Sequence, residues 1–372
     1  MTTPMFWLKL AVLLVAYVAF LPINLLACLI CRFVWFPGFG WRMDGPVLSA
    51  DAVRQDEIRA NAMFKIDAYS HSGDGPKFLG LAYAATLRED IWDVLWSMCG
   101  VGVFFRTPKG IGDDHLPPFS GDQLVGYLMA VQARHRSWLL TDYESASLKW
   151  NMDAIIFRGW PLTIPGAVFG RGWVFTPWEP CFGTWAQTFA MLGICESIWG
   201  EEDGRYRRVI NVLKPFAALT SWSFDFNFWA GRVYMQTWYS AHSTSLCLFM
   251  LDQLAWGIGK TGLRAMAERY PWNPDICGMA GDSLAVAHAL AEYYPHHRDG
   301  KVQPVYSVDR DSKTYFSVRS MRPKAMGANV LPPLLRCGSN YMNEENPLLP
   351  SAMVADGRLA DWLFLRSLLR KA

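Results

Sequence analysis

The sequence predicts a mainly α-helical body that follows one N-terminal membrane-spanning segment. Three observations predict this fold class. A long uncharged stretch, Leu10 to Cys31, lies near the start of the chain. The remainder contains roughly ten segments with helical periodicity and one segment with the alternation of a β-hairpin. No regular alternation of strands and helices favours a doubly wound sheet.

The N-terminal segment, residues 1–36, is predicted to be an uncleaved membrane anchor. No charged side chain occurs between Lys9 and Arg32. A helix of this length, at about 1.5 Å per residue, spans a bilayer core of roughly 30 Å. A cleaved signal peptide is the alternative, with Leu10–Leu21 as its apolar core. The apolar run continues to Phe36, which favours the anchor.

The composition limits the partners and the compartment. The charged fraction is 18% and the net charge is +2, without a long run of basic residues. A nucleic-acid partner is therefore not expected, because phosphate binding needs a concentrated basic surface. Arg32 and Arg42 follow the anchor, while Lys9 precedes it, so the positive-inside rule favours a cytoplasmic body. The cysteines are scattered and resemble small buried hydrophobic residues rather than a disulfide framework.

The body is predicted to be one helical domain, residues 51–372, joined to the anchor by a linker rich in Gly, Pro and aromatic residues, 37–50. Apolar periodicity and capping residues predict the helices in order. They cover 52–69, 78–87, 91–101, 122–136, 144–157, 181–199, 205–218, 233–256, 261–270, 280–294 and 359–369. The alternating segment Val305–Val318 predicts the small β-hairpin.

Two of these helices begin with the same pattern, Gly-Asp-x-Leu. Asp122 follows Gly121, and Asp282 follows Gly281. Aspartate is a preferred N-cap residue, so both carboxylates are expected where a helix starts. The repeated start indicates a fold of helical hairpins with acidic residues at one rim.

The chain resembles the (α/α) toroid, or six-hairpin, carbohydrate-active proteins. The resemblance rests on the order of helical hairpins, on the start Ser120-Gly121-Asp122-Gln123-Leu124-x-Gly126, and on the closing segment Asn346-Pro347-Leu348-Leu349-Pro350. It covers residues 50–372 and includes no complete catalytic signature. It implies a helical barrel in which the starts of the inner helices and the hairpin loops line a sugar-binding cleft.

Glycoside hydrolysis requires two carboxyl groups on either side of the scissile bond. Five acidic residues lie in apolar or aromatic surroundings, where burial could raise a pKa. These candidate catalytic residues are Asp122, Asp153, Glu196, Asp225 and Asp282. The alternative role of Asp122 and Asp282 is helix capping, and that of Glu196 and Asp225 is pairing with an arginine.

Two loops rich in aromatic residues carry the strongest functional signal. Tryptophan rings in such loops form stacking surfaces for sugars or a belt at a membrane interface. The candidate substrate-binding residues are Trp160, Trp173, Trp178, Trp222 and Trp229. No motif predicts a cofactor or a metal ion, and His296-His297-x-Asp299 is interpreted as a solvated loop.

The sequence therefore favours a membrane-anchored protein that binds a glycan or glycolipid. An enzymatic role, as a glycosidase or polysaccharide lyase, is compatible with the candidate carboxylates. The competing hypothesis is a non-enzymatic membrane-associated scaffold, such as a structural protein of a virion envelope.

Overall fold

The computed structural model consists of helices throughout its described part. That part comprises residues 75–100, 104–105, 108, 121–158, 185–215, 237–269, 274–287 and 357–369, with isolated positions between 4 and 22 and between 58 and 66. The α-helices are α1 Gly75–Thr86, α2 Glu89–Ser97, α3 Gly121–Arg136, α4 Asp142–Asp153, α5 Trp185–Trp199, α6 Arg205–Leu213, α7 Thr237–Gln253, α8 Gly257–Arg269, α9 Pro274–Met279 and α10 Gly357–Leu369. A π-helical turn, Ala154–Arg158, continues α4.

The mainly α fold class is confirmed for these residues. Their single β feature is an isolated bridge between Cys99 and Phe104. The helix α4 shows how local sequence sets a boundary: Thr141 accepts a hydrogen bond from the Glu144 amide, and the Glu144 carboxylate accepts one from the Thr141 amide. This reciprocal capping box satisfies two backbone N–H groups that the helix cannot pair internally.

Two predicted boundaries are wrong at the turn between α7 and α8. The helix α7 ends at Gln253 rather than at residue 256, because Ala255 adopts a left-handed conformation with φ of 60°. The amide of Trp256 then donates to the carbonyl oxygen of Leu251, which closes the end of the helix. Helix α8 therefore starts at Gly257 and not at residue 261. The short helix α9 was not predicted.

The helices fall into two types according to burial. In α1 every residue from Gly75 to Tyr83 is buried, and in α7 every residue from Thr244 to Leu251 is buried. The helices α3 and α5 are likewise buried on nearly all sides. In contrast, α6 buries one face, formed by Tyr206, Val209 and Leu213. Helices that are buried all round belong to the interior of a helical domain, whereas one-faced helices cover it.

The inner helices contact each other in a closed circuit. Helix α10 packs against α1, α1 against α3, α3 against α5, α5 against α7, α7 against α9, and α9 against α10; α3 also packs directly against α7. The intervening helices lie outside this circuit: α2 packs against α1, α6 against α5, and α8 against α7 and α9. Among the described helices, inner and outer ones thus alternate from α1 to α9.

The closest approach inside the circuit joins α1 to α3. A Cβ atom added at Gly80 would lie 2.0 Å from the carbonyl oxygen of Gly126. A Cβ atom at Gly126 would lie 2.3 Å from the carbonyl oxygen of Pro76. The two helices therefore touch backbone to backbone, and this contact has no room for a side chain.

The N-terminal segment is described at isolated helical positions only. Phe6 and Leu10 are buried, and the Phe6 ring lies 5.3 Å from the Phe157 ring, between centroids. The start of the predicted anchor thus contacts the body. Within the described residues, no helix combines the length and the apolar character needed to cross a bilayer. The linker 37–50 and the predicted hairpin Val305–Val318 lie outside these residues.

Candidate functional site

Buried polar side chains collect near the starts of the inner helices. Lys77 lies in the first turn of α1, Gln123 in the first turn of α3, and Thr188 in the first turn of α5. All three are buried, as are Thr244 and Ser245 in the first half of α7. Polar groups are seldom buried without partners, so their concentration in the first halves of four inner helices marks this region as the candidate site.

The pair formed by Lys77 and Ser243 lies at the centre of this region. The Lys77 Nζ atom donates a hydrogen bond to Ser243 Oγ over 3.0 Å. Lys77 is 0% exposed, whereas Ser243 is partly exposed. Helix α3 packs against both α1 and α7. The hydrogen bond therefore joins two helices that share α3 as a neighbour.

Lys77 also acts on a thiol one helical turn further along α7. Burial raises the pKa of Cys247 well above its ordinary value, and the positive charge of Lys77 partly opposes this rise. Residues four apart in a helix lie on the same face, so Cys247 and Ser243 both face Lys77. The site thus combines an amine, a hydroxyl and a protonated thiol.

This arrangement can bind and orient a polar ligand. A hydroxyl that accepts a hydrogen bond can still donate its own proton, so Ser243 can donate to a ligand while Lys77 fixes its oxygen. Serine and lysine within hydrogen-bonding distance also form the nucleophile and base of some hydrolytic sites.

A second charged cluster, centred on Arg134, joins four helices. Arg134 donates to the Tyr83 hydroxyl and to the Glu89 carboxylate over 2.9 Å, and to the Glu144 carboxylate over 3.2 Å. The Trp92 indole donates to the same Glu144 carboxylate over 2.6 Å. Burial raises the pKa of Glu144, but hydrogen bonds, including those from the Trp92 indole and Arg134, outweigh it and lower the pKa. This cluster ties the outer helices α2 and α4 to α1 and α3.

A third cluster, centred on Asp153, joins α4 to α6. Its carboxylate accepts from Arg205 over 2.6 Å and from Lys149 over 3.1 Å, and it also accepts from the Tyr206 hydroxyl. Asp203 binds the same two cations, and its hydrogen bonds from Arg205 hold its pKa well below the ordinary value. Each carboxylate is matched by cations, which is the pattern of a structural ion-pair network.

The candidate catalytic carboxylates occupy different parts of the fold. Asp153 belongs to the third cluster, and Glu196 forms an ion pair with Arg207 at 2.6 Å. The Asp282 carboxylate accepts from the Ala285 amide over 3.0 Å, which is the expected capping contact. Helix α3 begins at Gly121, so Asp122 lies within its first turn and not before it. The Asp122 side chain and the whole of Asp225 lie outside the described residues.

The predicted substrate-binding tryptophans also lie outside the described residues. These are Trp160, Trp173, Trp178, Trp222 and Trp229. The structure therefore leaves the aromatic platform a prediction. Within the described part of the chain, no group of three or more His, Cys, Asp or Glu side chains is arranged to hold a metal ion.

The pairing of Lys77 with Ser243 was not predicted from the sequence. A signal was present, because Lys77 is the single charged residue of an otherwise apolar helix, α1. Such a residue needs a polar partner in the interior. Its partner lies 166 residues away along the chain, so no local pattern could identify Ser243.

No protein-family model, curated protein or solved structure matches the chain. The proposals below therefore rest on the residues and geometry of this chain.

Proposed function

We propose that the body is an (α/α) toroid that binds a glycan or glycolipid at the end where its inner helices begin. The closed circuit of α1, α3, α5, α7, α9 and α10 carries this proposal. Inner and outer helices alternate among those that the structure describes between α1 and α9, as expected for a barrel of helical hairpins. The N-terminal segment, whose start at Phe6 packs against Phe157 of the body, holds the body at the cytoplasmic face of the membrane.

The ligand class follows from the chemistry of the candidate site. Sugar rings present many hydroxyl groups, which bind to amide, hydroxyl and ammonium groups such as those of Gln123, Ser243 and Lys77. The aromatic loops predicted from the sequence would add flat apolar faces for the rings. The toroid would bring both kinds of contact to one cleft.

Cleavage of the ligand is the finer proposal. Hydrolysis requires two carboxyl groups across the bond. The contacts of Asp153, Glu196 and Asp282 give each a structural role. Asp122, in the first turn of α3 beside Gln123, and Asp225 are therefore the pair we propose for catalysis. If the carboxyl groups of Asp122 and Asp225 do not lie across one cleft, the competing function, a non-enzymatic membrane-associated scaffold, is favoured.

A binding experiment on the full chain in detergent micelles tests the proposal. Titration calorimetry would use neutral oligosaccharides, acidic oligosaccharides and glycolipids. We expect one class to bind the parent, and Ser243→Ala to weaken that binding by roughly fivefold, equivalent to one lost hydrogen bond of about 1 kcal/mol.

The matched control is Ser97→Ala, which removes an exposed hydroxyl at the end of the outer helix α2. It should leave the affinity unchanged. If no ligand of the panel binds the parent, the scaffold function replaces the glycan-binding one. If Ser243→Ala binds as tightly as the parent, the site lies elsewhere on the protein.

A further inference from the structure

Ser243 lies where the buried part of helix α7 meets solvent. The eight residues that follow it, Thr244 to Leu251, are all buried, whereas Ser243 is partly exposed. Its partner Lys77 is 0% exposed. A ligand in solution can therefore reach the Ser243 hydroxyl, while the amine that contacts this hydroxyl is shielded from water.

The packing of α1 against α3 fixes the position of Lys77. A Cβ atom added at Gly126 of α3 would lie 2.4 Å from the Cα atom of Lys77, so the two backbones touch at this residue. At the other end of the side chain, Lys77 Nζ lies 3.0 Å from Ser243 Oγ. A group that is held at its backbone and at its terminal atom needs little rearrangement to act on its neighbour.

The two side chains have the composition of a nucleophile and its base. A serine hydroxyl is a weak nucleophile until a base removes its proton, and lysine is that base in some hydrolytic sites. A base has to lie within hydrogen-bonding reach of the hydroxyl oxygen, at about 2.6–3.2 Å. The distance of 3.0 Å between Lys77 Nζ and Ser243 Oγ meets this requirement.

Two features near Lys77 favour the neutral amine that a base needs. Burial disfavours the charged form of an amine. Burial also raises the pKa of the Cys247 thiol well above its ordinary value, an effect that outweighs the opposing charge of a protonated Lys77. The thiol therefore stays protonated and contributes no negative charge that would hold the lysine as an ammonium group.

We propose that Ser243 and Lys77 are the nucleophile and the general base of an ester-hydrolysing site. Ser243 Oγ attacks the carbonyl carbon of the ester, and its proton passes to Lys77 Nζ. When the tetrahedral intermediate collapses, the bond to the ester oxygen breaks and Lys77 gives the proton to the departing alcohol. Water then attacks the acyl group on Ser243, and Lys77 transfers a proton from this water to Ser243 Oγ. The products are an alcohol and a carboxylic acid.

The proposed function supplies the class of alcohol. Its ligand is a glycan or glycolipid, whose hydroxyl groups are the positions at which acyl esters form. The site would therefore remove an ester-linked acyl group from a sugar. This choice of alcohol rests on the proposed function, whereas the pairing of nucleophile and base rests on the geometry of Lys77 and Ser243.

A fluorophosphonate probe, which reacts with activated serine hydroxyls, tests the pair in the full chain in detergent micelles. Mass spectrometry of the digested protein locates the adduct. We expect Ser243 to react about a hundredfold faster than Ser97, an exposed serine at the end of α2, because a positioned base contributes roughly 10²–10⁴-fold. No adduct at Ser243, or an adduct formed no faster than at Ser97, would overturn the proposal.

The variant Lys77→Met tests the base, since methionine is unbranched and apolar and can occupy the space of the lysine stem. We expect the reaction at Ser243 to slow by about a hundredfold, with thermal melts showing whether the variant folds. The pH profile of the parent is an independent check, because the rate should level off once the amine is neutral. An unchanged rate in the folded variant, or a parent rate that rises in proportion to hydroxide without levelling off, would exclude Lys77 as the base.

Acetate release from an O-acetylated oligosaccharide keeps this inference apart from the proposed function. We expect release by the parent and a fall of about a hundredfold or more in Ser243→Ala. If Ser243 reacts with the probe but no glycan binds, the glycan proposal falls and the pair stands. If a glycan binds and Ser243 does not react, the pair falls and glycan binding stands. If a glycan binds and Ser243 reacts without acetate release, the assignment of a sugar ester falls.

Discussion

The interior circuit and the outer layer of this protein are held together by different interactions, close backbone packing in the first and charged hydrogen bonds in the second. In the circuit, α1 and α3 meet backbone to backbone at Gly80 and Gly126. In the outer layer, α2, α4 and α6 are attached through the side chains of Arg134 and Arg205. Close packing of this kind has no tolerance for added atoms. A charged network tolerates small movements but not the loss of a partner.

The two regions also use a cation differently. Arg205 lies between the carboxylates of Asp153 and Asp203, so its role is structural. Lys77 on α1 donates to the hydroxyl of Ser243 on α7, which is partly exposed. A hydroxyl held by a buried amine can serve a ligand as well as the fold. The outer clusters and the glycine contact therefore support stability, and we propose that the ligand binds beside Lys77.

The largest effect is expected from Gly126→Ala. Its new Cβ atom would lie 2.3 Å from the Pro76 carbonyl oxygen, so α1 and α3 would have to separate. We expect a loss of about 3 kcal/mol or more in the free energy of unfolding, measured by denaturant titration. The control is Gly204→Ala, in the outer layer, where a Cβ atom meets nothing within 4 Å. Equal stability of the two variants would mean that α1 and α3 are not in close contact.

The next effect is expected from Arg134→Met, which breaks the network of the outer layer. The side chain of Arg134 is 7% exposed and that of Glu144 is 12% exposed, so the change leaves a carboxylate short of its cation. We expect a loss of about 3 kcal/mol in the free energy of unfolding. The control is Arg207→Met, since the Arg207 side chain is 65% exposed in its pair with Glu196 and should contribute less than about 1 kcal/mol. A loss for Arg134→Met no larger than for the control would contradict a structural cluster.

A pH effect is expected from Asp203. Hydrogen bonds from Arg205 hold its folded-state pKa below the ordinary value of 3.8. A depressed carboxyl pKa stabilises the fold above the unfolded-state value, and this contribution is lost as the pH falls below about 4. Thermal melts of the parent should show a melting temperature that falls as the pH is lowered from about 5 to about 3. In Asp203→Asn the melting temperature should depend less on pH over the same range. A profile as steep in the variant as in the parent would contradict the assignment.

The smallest effect on stability is expected from Trp138→Gly. Glycine relieves the left-handed strain at a φ of 58°, and the lost ring is 92% exposed. The melting temperature in detergent should therefore stay the same or rise slightly. Calorimetry checks this, with Leu87→Gly as a comparison, because Leu87 has a φ of 54° but packs against the core. A clear fall in the melting temperature of Trp138→Gly would show that the indole supports the fold.

Local sequence signals predicted most of the described helices. Thr141 and Glu144 set the start of α4 through side chains that lie three residues apart, so a short pattern contains the whole cause. The pairing of Glu196 with an arginine was also foreseeable, because a half-buried carboxylate needs a cation. Signals of this kind act within one or two turns of the chain.

The features that the sequence did not predict depend on distant or small residues. Ser243 differs from other serines in accepting a hydrogen bond from Lys77. The two residues come together only when α1 and α7 pack in the folded protein. The helix α9 has six residues and includes Pro274 and Gly278, so it is too short for a periodic pattern. Ala255 is left-handed and ends α7 early, but the position lacks the glycine that would have predicted this helix end. Tertiary packing decided each of these features.

We propose that a glycan binds where the inner helices begin, and hydrogen–deuterium exchange can detect such binding at individual helix starts. The first amides of a helix have no partner within it, so they exchange rapidly unless a ligand or another group covers them. With a binding glycan present, we predict slower exchange in peptides that contain the starts of α1 and α3, and unchanged exchange at the start of the outer helix α6. If the glycan binds but slows exchange only in the outer helices, or at none of the helix starts, it does not bind where the inner helices begin.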